Sequence, residues 1–340
     1  MLVLGIETSC DETAAAIVKD GRDILSNVVL SSLRFHKPYG GIVPEIACRH
    51  HTEIIDSVIK EAFLRANCKI NQIDLIAVTN GPGLIGALLV GVSTAKGLAL
   101  SNNIPVVGVN HIWAHLYAPF MNIARSKDVR IKFPYVGLVI SGGHTSLMFV
   151  EDFDRYQNLG QTTDDAAGEA FDKVAKILKL GIPGGPVIER LAKHGDANAI
   201  KFPKSLLNSI DNLDFSFSGI KTAVLYYVGK IENKKKIKSE ISNICASFQK
   251  SVIDVIVEKS IKACQKKEAT RLVVGGGVSI NSMLRRRLQE ACVNFGISIY
   301  FPSKGLCLDN ASMVAGLGYH LYKKSNRDNL RLNAFANIWR

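Results

Sequence analysis

Met1-Leu-Val-Leu-Gly-Ile-Glu-Thr-Ser-Cys-Asp-Glu-Thr-Ala-Ala-Ala-Ile-Val18 opens the chain and decides its fold. Residues 3–6 are a short apolar run, the mark of a buried strand. Residues 14–18 form a second, and Asp20-Gly21 is a turn signal before a third strand at 23–29. The chain thus begins as a β-meander. Residues 52–66 read as an amphipathic helix, with Ile54, Ile55, Val58, Ile59, Ala62 and Phe63 on one side. A strand at 73–78, the turn Asn80-Gly-Pro-Gly83, a small-residue helix over 84–100 suited to close packing, and a strand at 106–109 follow.

The same logic returns further along. A strand at 135–140 leads into Ser141-Gly-Gly-His-Thr145 and a strand at 146–151. Helices are expected over 167–179 and 243–265. A strand at 271–274 ends in Gly275-Gly-Gly277, and a helix over 279–291 and a strand at 297–301 follow. Strands alternating with helices give an α/β architecture. The repetition predicts two similar α/β domains with an interdomain cleft. One spans 1–115 and takes back a C-terminal helix at about 310–335; the other spans 116–309. The switch is expected near 115–134, where 122–132 is polar and basic. The basic tail from Leu321 reads as a helix with a loose end.

With 340 residues, 47% of them hydrophobic, the chain can bury a sizeable core. Charged residues make up 21%, which argues against global disorder. The net charge of +12 suits a polyanionic partner such as nucleic acid. Lys230, Lys234, Lys235, Lys236 and Lys238, with Lys221 upstream, form a basic cluster that reads as a solvated face or a phosphate contact. Seven scattered cysteines with no C-x-x-C fit reduced thiols in a cytoplasmic protein. The apolar start is too short for a signal peptide, and no run of 18 apolar residues predicts a membrane span.

His111 and His115 stand four apart in Val109-Asn-His-Ile-Trp-Ala-His115. On a helix both imidazoles leave one face a turn apart, close enough to share a divalent metal. Ile112 stands where H-E-x-x-H requires its general base, so peptidase machinery is missing. Asp309, at a turn before a helix, suits a helix cap or a third ligand, and the spacing favours the cap. Asp11 and Glu12 are either turn residues or a paired general base. Asp164 and Asp165 are expected to cap the helix at Ala166. Asp172 reads as a surface partner on that helix, and His144 as a hydrogen-bonded structural residue. Glycine turns at 141–145, 183–186 and 275–277 let backbone N–H groups approach an anion, and together they suggest a phosphate clamp and nucleoside pocket. No P-loop motif occurs.

Taken in order, these motifs form a pattern. They are Gly5-Ile-Glu-Thr-Ser-Cys-Asp-Glu-Thr13, Gly41-Ile-Val-Pro-Glu45, Asn80-Gly-Pro-Gly83, the histidine pair, Ser141-Gly-Gly-His-Thr145, Asp164-Asp-Ala-Ala-Gly-Glu-Ala-Phe-Asp-Lys173, Pro183-Gly-Gly-Pro186, Phe215-Ser-Phe-Ser-Gly-Ile-Lys221, Gly275-Gly-Gly-Val-Ser279 and Asp309-Asn310. Across nearly its whole length the chain resembles the tRNA adenosine threonylcarbamoyltransferase (TsaD) family, once called O-sialoglycoprotein endopeptidases. The resemblance implies a two-lobed actin/Hsp70/hexokinase-like (ASKHA) fold. It makes His111, His115 and Asp309 the ligands of one divalent metal ion, iron(II) in preference to zinc. It places the substrate nucleotide against Val139, Ile140, Ser141, Gly142, Gly143, Asp172, Gly185 and Asn281.

The implied donor is threonylcarbamoyl-AMP, and the implied acceptor is the adenosine beside the anticodon in tRNAs that read codons starting with A. A TsaB-like paralogue and a TsaE-like ATPase are the implied partners, with no membrane. The chemistry expected is attack by the exocyclic amine on the carbamoyl carbon with AMP leaving, assisted weakly by Asp11 or Glu12. The family usually carries Glu, then Gly or Ala, between the histidines. Here Trp113 and Ala114 stand there, and Trp113 removes a carboxylate placed to support a ligand. A metal-dependent glycoprotein peptidase, a small-molecule kinase of the same fold and a non-catalytic scaffold are the competing classes.

Overall fold

The computed structural model describes residues 1–125, 131–205, 212–231, 234–324 and 328–337. They form two compact units, Met1–Ile131 with Pro302–Arg340, and Lys132–Phe301.

In the first unit β1 (Leu2–Glu7), β2 (Glu12–Lys19), β3 (Asp23–Ser31), β4 (Leu75–Gly81) and β5 (Val106–Asn110) make one sheet in the order β3-β2-β1-β4-β5. The meander supplies the antiparallel half; β4 and β5 extend it in parallel from β1. β1 is central and covered, hence its nearly unbroken apolar run. The helices are α1 (Leu33–His36), α2 (Pro44–Ala66), α3 (Ile85–Asn102) and α4 (His111–Tyr117). Leu4, Ile6, Ile17, Ile76, Val78 and Leu88 are at the heart of its core. Each such side chain contributes about 1.5–3 kcal/mol by leaving water.

The second unit repeats the pattern. β6 (Tyr135–Ile140), β7 (Thr145–Asp152), β8 (Arg155–Gln161), β9 (Arg271–Gly275) and β10 (Ser298–Tyr300) run in the order β8-β7-β6-β9-β10. Again the hairpin strands are antiparallel, and β9 and β10 run parallel to the central strand. Its helices are α5 (Ala167–Ile177), α6 (Gly184–Ala192), α7 (Ser218–Gly229), α8 (Lys234–Lys266) and α9 (Ser282–Asn294). Phe171, Phe215, Phe217 and Phe248 anchor its core. The last helix, α10 (Ala311–Lys323), returns to the first unit and packs along β1. Gly5 permits this approach, since a Cβ there would lie 2.9 Å from that of Ala315.

Several elements differ from their sequence expectation. α2 begins at Pro44, eight residues before the apolar stripe that marked it, because Pro suits a first helical turn. α8 likewise starts at Lys234 rather than 243. α6 begins inside Pro183-Gly-Gly-Pro186, which reads as a turn in sequence. α7 and β8 carry no strong periodic signal and were not expected. α3 is long and apolar enough in composition to cross a membrane. One face of it, including Leu88, Gly91 and Val92, is buried in the first unit.

The units divide at 131/132 and 301/302, whereas the sequence placed the divisions at 115/116 and 309/310. Tyr117 explains part of the difference: its hydroxyl donates to the Gly21 carbonyl at 2.8 Å and keeps the segment after α4 in the first unit. Part of the expected switch, 126–130, lies outside the described residues. So do 232–233, along with the side chains of 234–238 from the basic cluster, and 325–327 and 338–340 of the tail.

Candidate metal centre and nucleotide turns

The Asn110 side chain starts α4 by accepting from the backbone N–H of Ile112 (2.9 Å) and Trp113 (3.2 Å). That cap fixes a seven-residue helix with His111 and His115 one turn apart. Their rings meet edge-on, 4.7 Å between centroids at 75°. Asp309 joins them, its Oδ1 lying 3.1 Å from His115 Nε2 and 3.7 Å from His111 Nε2. Asp309 is not the cap of α10. Asn310 takes that place, its side chain accepting from the Met313 N–H at 3.1 Å, and this leaves the neighbouring carboxylate for the histidines.

The three side chains fit a divalent cation. One ligand atom from each lies within 4.8 Å of the others. Buried His115 has no hydrogen-bond partner at either ring nitrogen among the described residues. Its close approach to Asp309 lacks hydrogen-bond geometry, as expected where two donor atoms point at a shared centre. Two imidazoles and a carboxylate leave coordination positions open, and the set suits iron(II) or zinc.

Glu7 completes the centre and was not singled out in the sequence. It ends β1 fully buried, accepting from Ser9 N–H (2.6 Å) and Thr79 Oγ (2.6 Å). Its Oε2 is 3.1 Å from His111 Nδ1, which also contacts Ser9 Oγ at 3.1 Å. A proton on Nδ1 shared with Glu7 leaves Nε2 as the metal-facing nitrogen. The carboxylate of Glu7 thus reaches His111 from the sheet rather than from the helix that carries the histidines. Its signal was a charge ending an otherwise apolar strand. Burial alone would lower the His111 pKa, but Asp309 and Glu7 overcome it and hold it up to about 9. Burial would raise Glu7, but His111 holds it below the usual carboxylate range.

Asp11 lies in the β1–β2 turn of the same unit, and Glu12 opens β2. Burial, with Asp309 and Asp11 close by, pushes Glu12 up to about 10. Asp11 accepts from Ser32 through its backbone carbonyl, at 2.8 Å from N–H and 2.9 Å from Oγ.

The second unit gathers the expected nucleotide residues at the carboxyl ends of β6 and β9. Val139 and Ile140 end β6, and Ser141, Gly142 and Gly143 form the turn into β7. A Cβ at Gly142 or Gly143 would meet nothing within 4 Å. The first turn of α5 lies against this turn, the Gly168 N–H donating to the Ser141 carbonyl at 3.2 Å. Asp172 on α5 is not a surface i, i+4 partner: it accepts from the Gly184 N–H at 2.6 Å and anchors α6, where Gly185 stands open. Asn281 caps α9, accepting from the Leu284 N–H at 3.0 Å and donating to Gln249 at 2.8 Å. Glu189 on α6 accepts from the Ser282 N–H at 2.9 Å, tying α6 to the start of α9.

The aspartates before α5 do not cap it. Asp164 accepts from the N–H groups of Phe217 (2.8 Å) and Ser218 (3.3 Å) and so caps α7. Asp165 pairs with Lys173 (2.6 Å) and Lys221 (2.9 Å). Both motifs that the resemblance singled out, at 164–173 and 215–221, thus meet in one clasp. His144 helps to close the turn, its backbone N–H donating to Ser141 Oγ at 3.1 Å.

A pair of β-β-β-α-β sheets, one of which carries a histidine–carboxylate set that fits a divalent cation, defines an actin/Hsp70/hexokinase-like fold. Solved structures agree on the fold. Component A of (R)-2-hydroxyglutaryl-CoA dehydratase from Acidaminococcus fermentans superimposes with a TM-score of 0.56 at 17% identity, over 96% of this chain and 99% of that one. The phosphate- and nucleotide-bound form of full-length HypF gives 0.61 at 14% identity, over 95% of this chain and 46% of that one.

The sequence comparisons are more specific. A family model described as tRNA N6-adenosine threonylcarbamoyltransferase (TsaD) matches residues 23–316. Curated proteins of that name from Clostridium botulinum and Caldicellulosiruptor saccharolyticus are 49% and 48% identical, each over 99% of this chain and 97% and 98% of their own lengths. The chain belongs to the tRNA N6-adenosine threonylcarbamoyltransferase family.

Proposed function

We propose that this enzyme transfers a threonylcarbamoyl group to the exocyclic N6 amine of adenosine in tRNA. The observation that carries the reading is the match of 49% over 99% of the chain to a curated enzyme of that name. The donor is threonylcarbamoyl-AMP, a mixed anhydride already activated, so no covalent enzyme intermediate is needed. The amine attacks the carbamoyl carbon, the C–O bond to phosphate breaks, and AMP leaves with its electron pair. The acceptor is the adenosine beside the anticodon in tRNAs that read codons starting with A.

The chain's own residues orient the substrates and disperse charge. Val139, Ile140, Ser141, Gly142, Gly143, Asp172, Gly185 and Asn281 receive the adenylate, the open glycines letting its backbone-facing side approach. Asp11 takes the proton lost by the amine, since Glu12, pushed up to about 10, already carries one at neutral pH. His111, His115 and Asp309 hold one divalent ion, iron(II) in preference to zinc, while Glu7 fixes the His111 ring. When bound, that ion supplies Lewis-acid stabilisation of anionic oxygen. The net charge of +12 supports tRNA as partner. A TsaB-like paralogue and a TsaE-like ATPase complete the assembly. A cytoplasmic location fits seven cysteines without a disulfide among the described residues. The test is threonylcarbamoyl transfer to tRNA by wild type and His111→Ala. Wild type transfers the group and the variant does not; equal activity with metal still bound rejects the metal assignment.

A further inference from the structure

Gly41-Ile-Val-Pro-Glu45 belongs to the family pattern, yet nothing in the proposed chemistry uses it. It closes the loop between β3 and α2, and that loop has an unusual surface. Phe35, Tyr39 and Ile42 are 40%, 64% and 43% exposed, and every residue from 37 to 42 faces solvent. Three large apolar side chains in eight residues is a poor arrangement for a bare surface. The Arg34 guanidinium lies over the Phe35 ring, 4.6 Å from its centroid. Arg34 and Lys37 have no ion-pair partner among the described residues, whereas Arg49 beyond them is taken by Glu45 at 3.0 Å.

The loop is also rigidly held. Buried His36 is pinned from both sides, its Nδ1 accepting from the Val43 N–H at 3.2 Å and its Nε2 meeting Ser32 Oγ at 2.9 Å. Gly40 turns the chain at φ 68°, a conformation that favours glycine. Ser32 is bolted to the Asp11 carbonyl. On α2, buried His51 bridges Thr13 Oγ (2.7 Å) and the Cys10 carbonyl (3.0 Å). Both ends of the loop are therefore fastened to residues 10–13, which follow directly on Glu7 and Ser9 at the metal centre. A preorganised aromatic pair beside unpaired cations is what unstacked bases and their phosphates require.

We infer that residues 34–42 are a stacking platform for the single-stranded anticodon loop of the tRNA. Phe35 and Tyr39 stack on bases flanking the acceptor adenosine, and Arg34 and Lys37 meet the phosphates between them. Stacking tolerates any base, so the platform orients the loop without adding sequence specificity. The inference rests on tRNA being the acceptor, and its test separates the two ideas.

The experiment uses the full chain together with its TsaB-like and TsaE-like partners, and an anticodon stem-loop RNA with 2-aminopurine beside the acceptor adenosine, alongside threonylcarbamoyl transfer to tRNA. Wild type is expected to change the fluorescence of the probe on binding. Tyr39→Ala and Phe35→Leu each raise Kd about tenfold and abolish that change, while Phe35→Trp retains both. Joint replacement of Arg34 and Lys37 by Ala flattens the slope of log Kd against log salt by about 1.4, at about 0.7 per single-strand phosphate contact. Tyr39 is mostly solvated, so its variant is expected to keep the wild-type melting temperature, and it decides the matter should Phe35→Leu unfold. Wild-type affinity and fluorescence in Tyr39→Ala overturn the inference, whatever that variant loses toward a protein partner. Wild type that neither binds the RNA nor modifies tRNA overturns the acceptor reading itself, and the platform with it.

Discussion

The two sheets share one strand order, but the turns that leave their central strands work by different means. After β1 the chain presents side chains: Glu7 and Ser9 reach His111, and Glu12 is pushed up to about 10 by burial and by Asp309 and Asp11. After β6 it presents backbone, with Gly142 and Gly143 open and the first turn of α5 held against them. A repeated frame thus offers two chemistries. Carboxylates and imidazoles suit a cation, and bare N–H groups suit an anion. Substitutions in one turn should leave the other intact.

The largest effect is expected at the metal set. His115→Ala removes a buried imidazole, proposed as a ligand, whose ring nitrogens have no hydrogen-bond partner among the described residues. Metal retained through purification should fall well below one per chain, so that the variant holds the ion only when it is supplied in excess, and transfer should fall by roughly a hundredfold or more. Elemental analysis and a tRNA modification assay on the same preparation check both.

Glu7→Gln should be next in size. It keeps the shape of the buried carboxylate but loses the charge that orients His111, and metal affinity should weaken by about 10- to 100-fold. Competition with a chelator measures this. Unchanged affinity would show that Glu7 serves only Ser9 and Thr79.

Gly142→Ala probes the other turn. The new methyl group meets no protein atom, so stability should not change. If the backbone there approaches the donor, KM for threonylcarbamoyl-AMP should rise about five- to tenfold with metal content untouched. Metal loss in this variant would break the separation of the two turns.

The smallest effect concerns the clasp behind α5. Burial alone would raise Asp165, but Lys173 and Lys221 hold it below the usual carboxylate range. Its folded value is thus lower than that of the unfolded chain, near 3.9. The stabilisation is complete above that value and is lost as pH falls through the folded one. Asp165→Asn should cost about 1–2 kcal/mol at neutral pH and progressively less as pH falls below about 3.9, as read from urea unfolding over a pH series.

Much of this was legible in the sequence because it depended on local period or spacing. The apolar runs at β1 and β6 and the glycines after β6 are short-range signals, and the i, i+4 histidines needed only a helix to share a face. What escaped depends on contacts across long separations. Asp309 looked like a cap because caps and ligands both favour a carboxylate before a helix; only the adjacent Asn310, taking the N–H of Met313, decides between them. Glu7 and His111 are 104 residues apart, and no periodicity announces their contact. Asp164 caps a helix more than 50 residues ahead rather than its own neighbour. α6 was hidden because Gly-Gly-Pro breaks helices in their interior yet is tolerated in a first turn.

X-ray absorption spectroscopy at the metal edge, on wild type and on His115→Ala loaded with the same ion, tests the centre most directly. A first shell containing two imidazole nitrogens and a carboxylate oxygen at about 2.0–2.2 Å, losing one imidazole in the variant, is the predicted result. A stoichiometric ion whose shell contains no imidazole, or one that His115→Ala leaves unchanged, would contradict it.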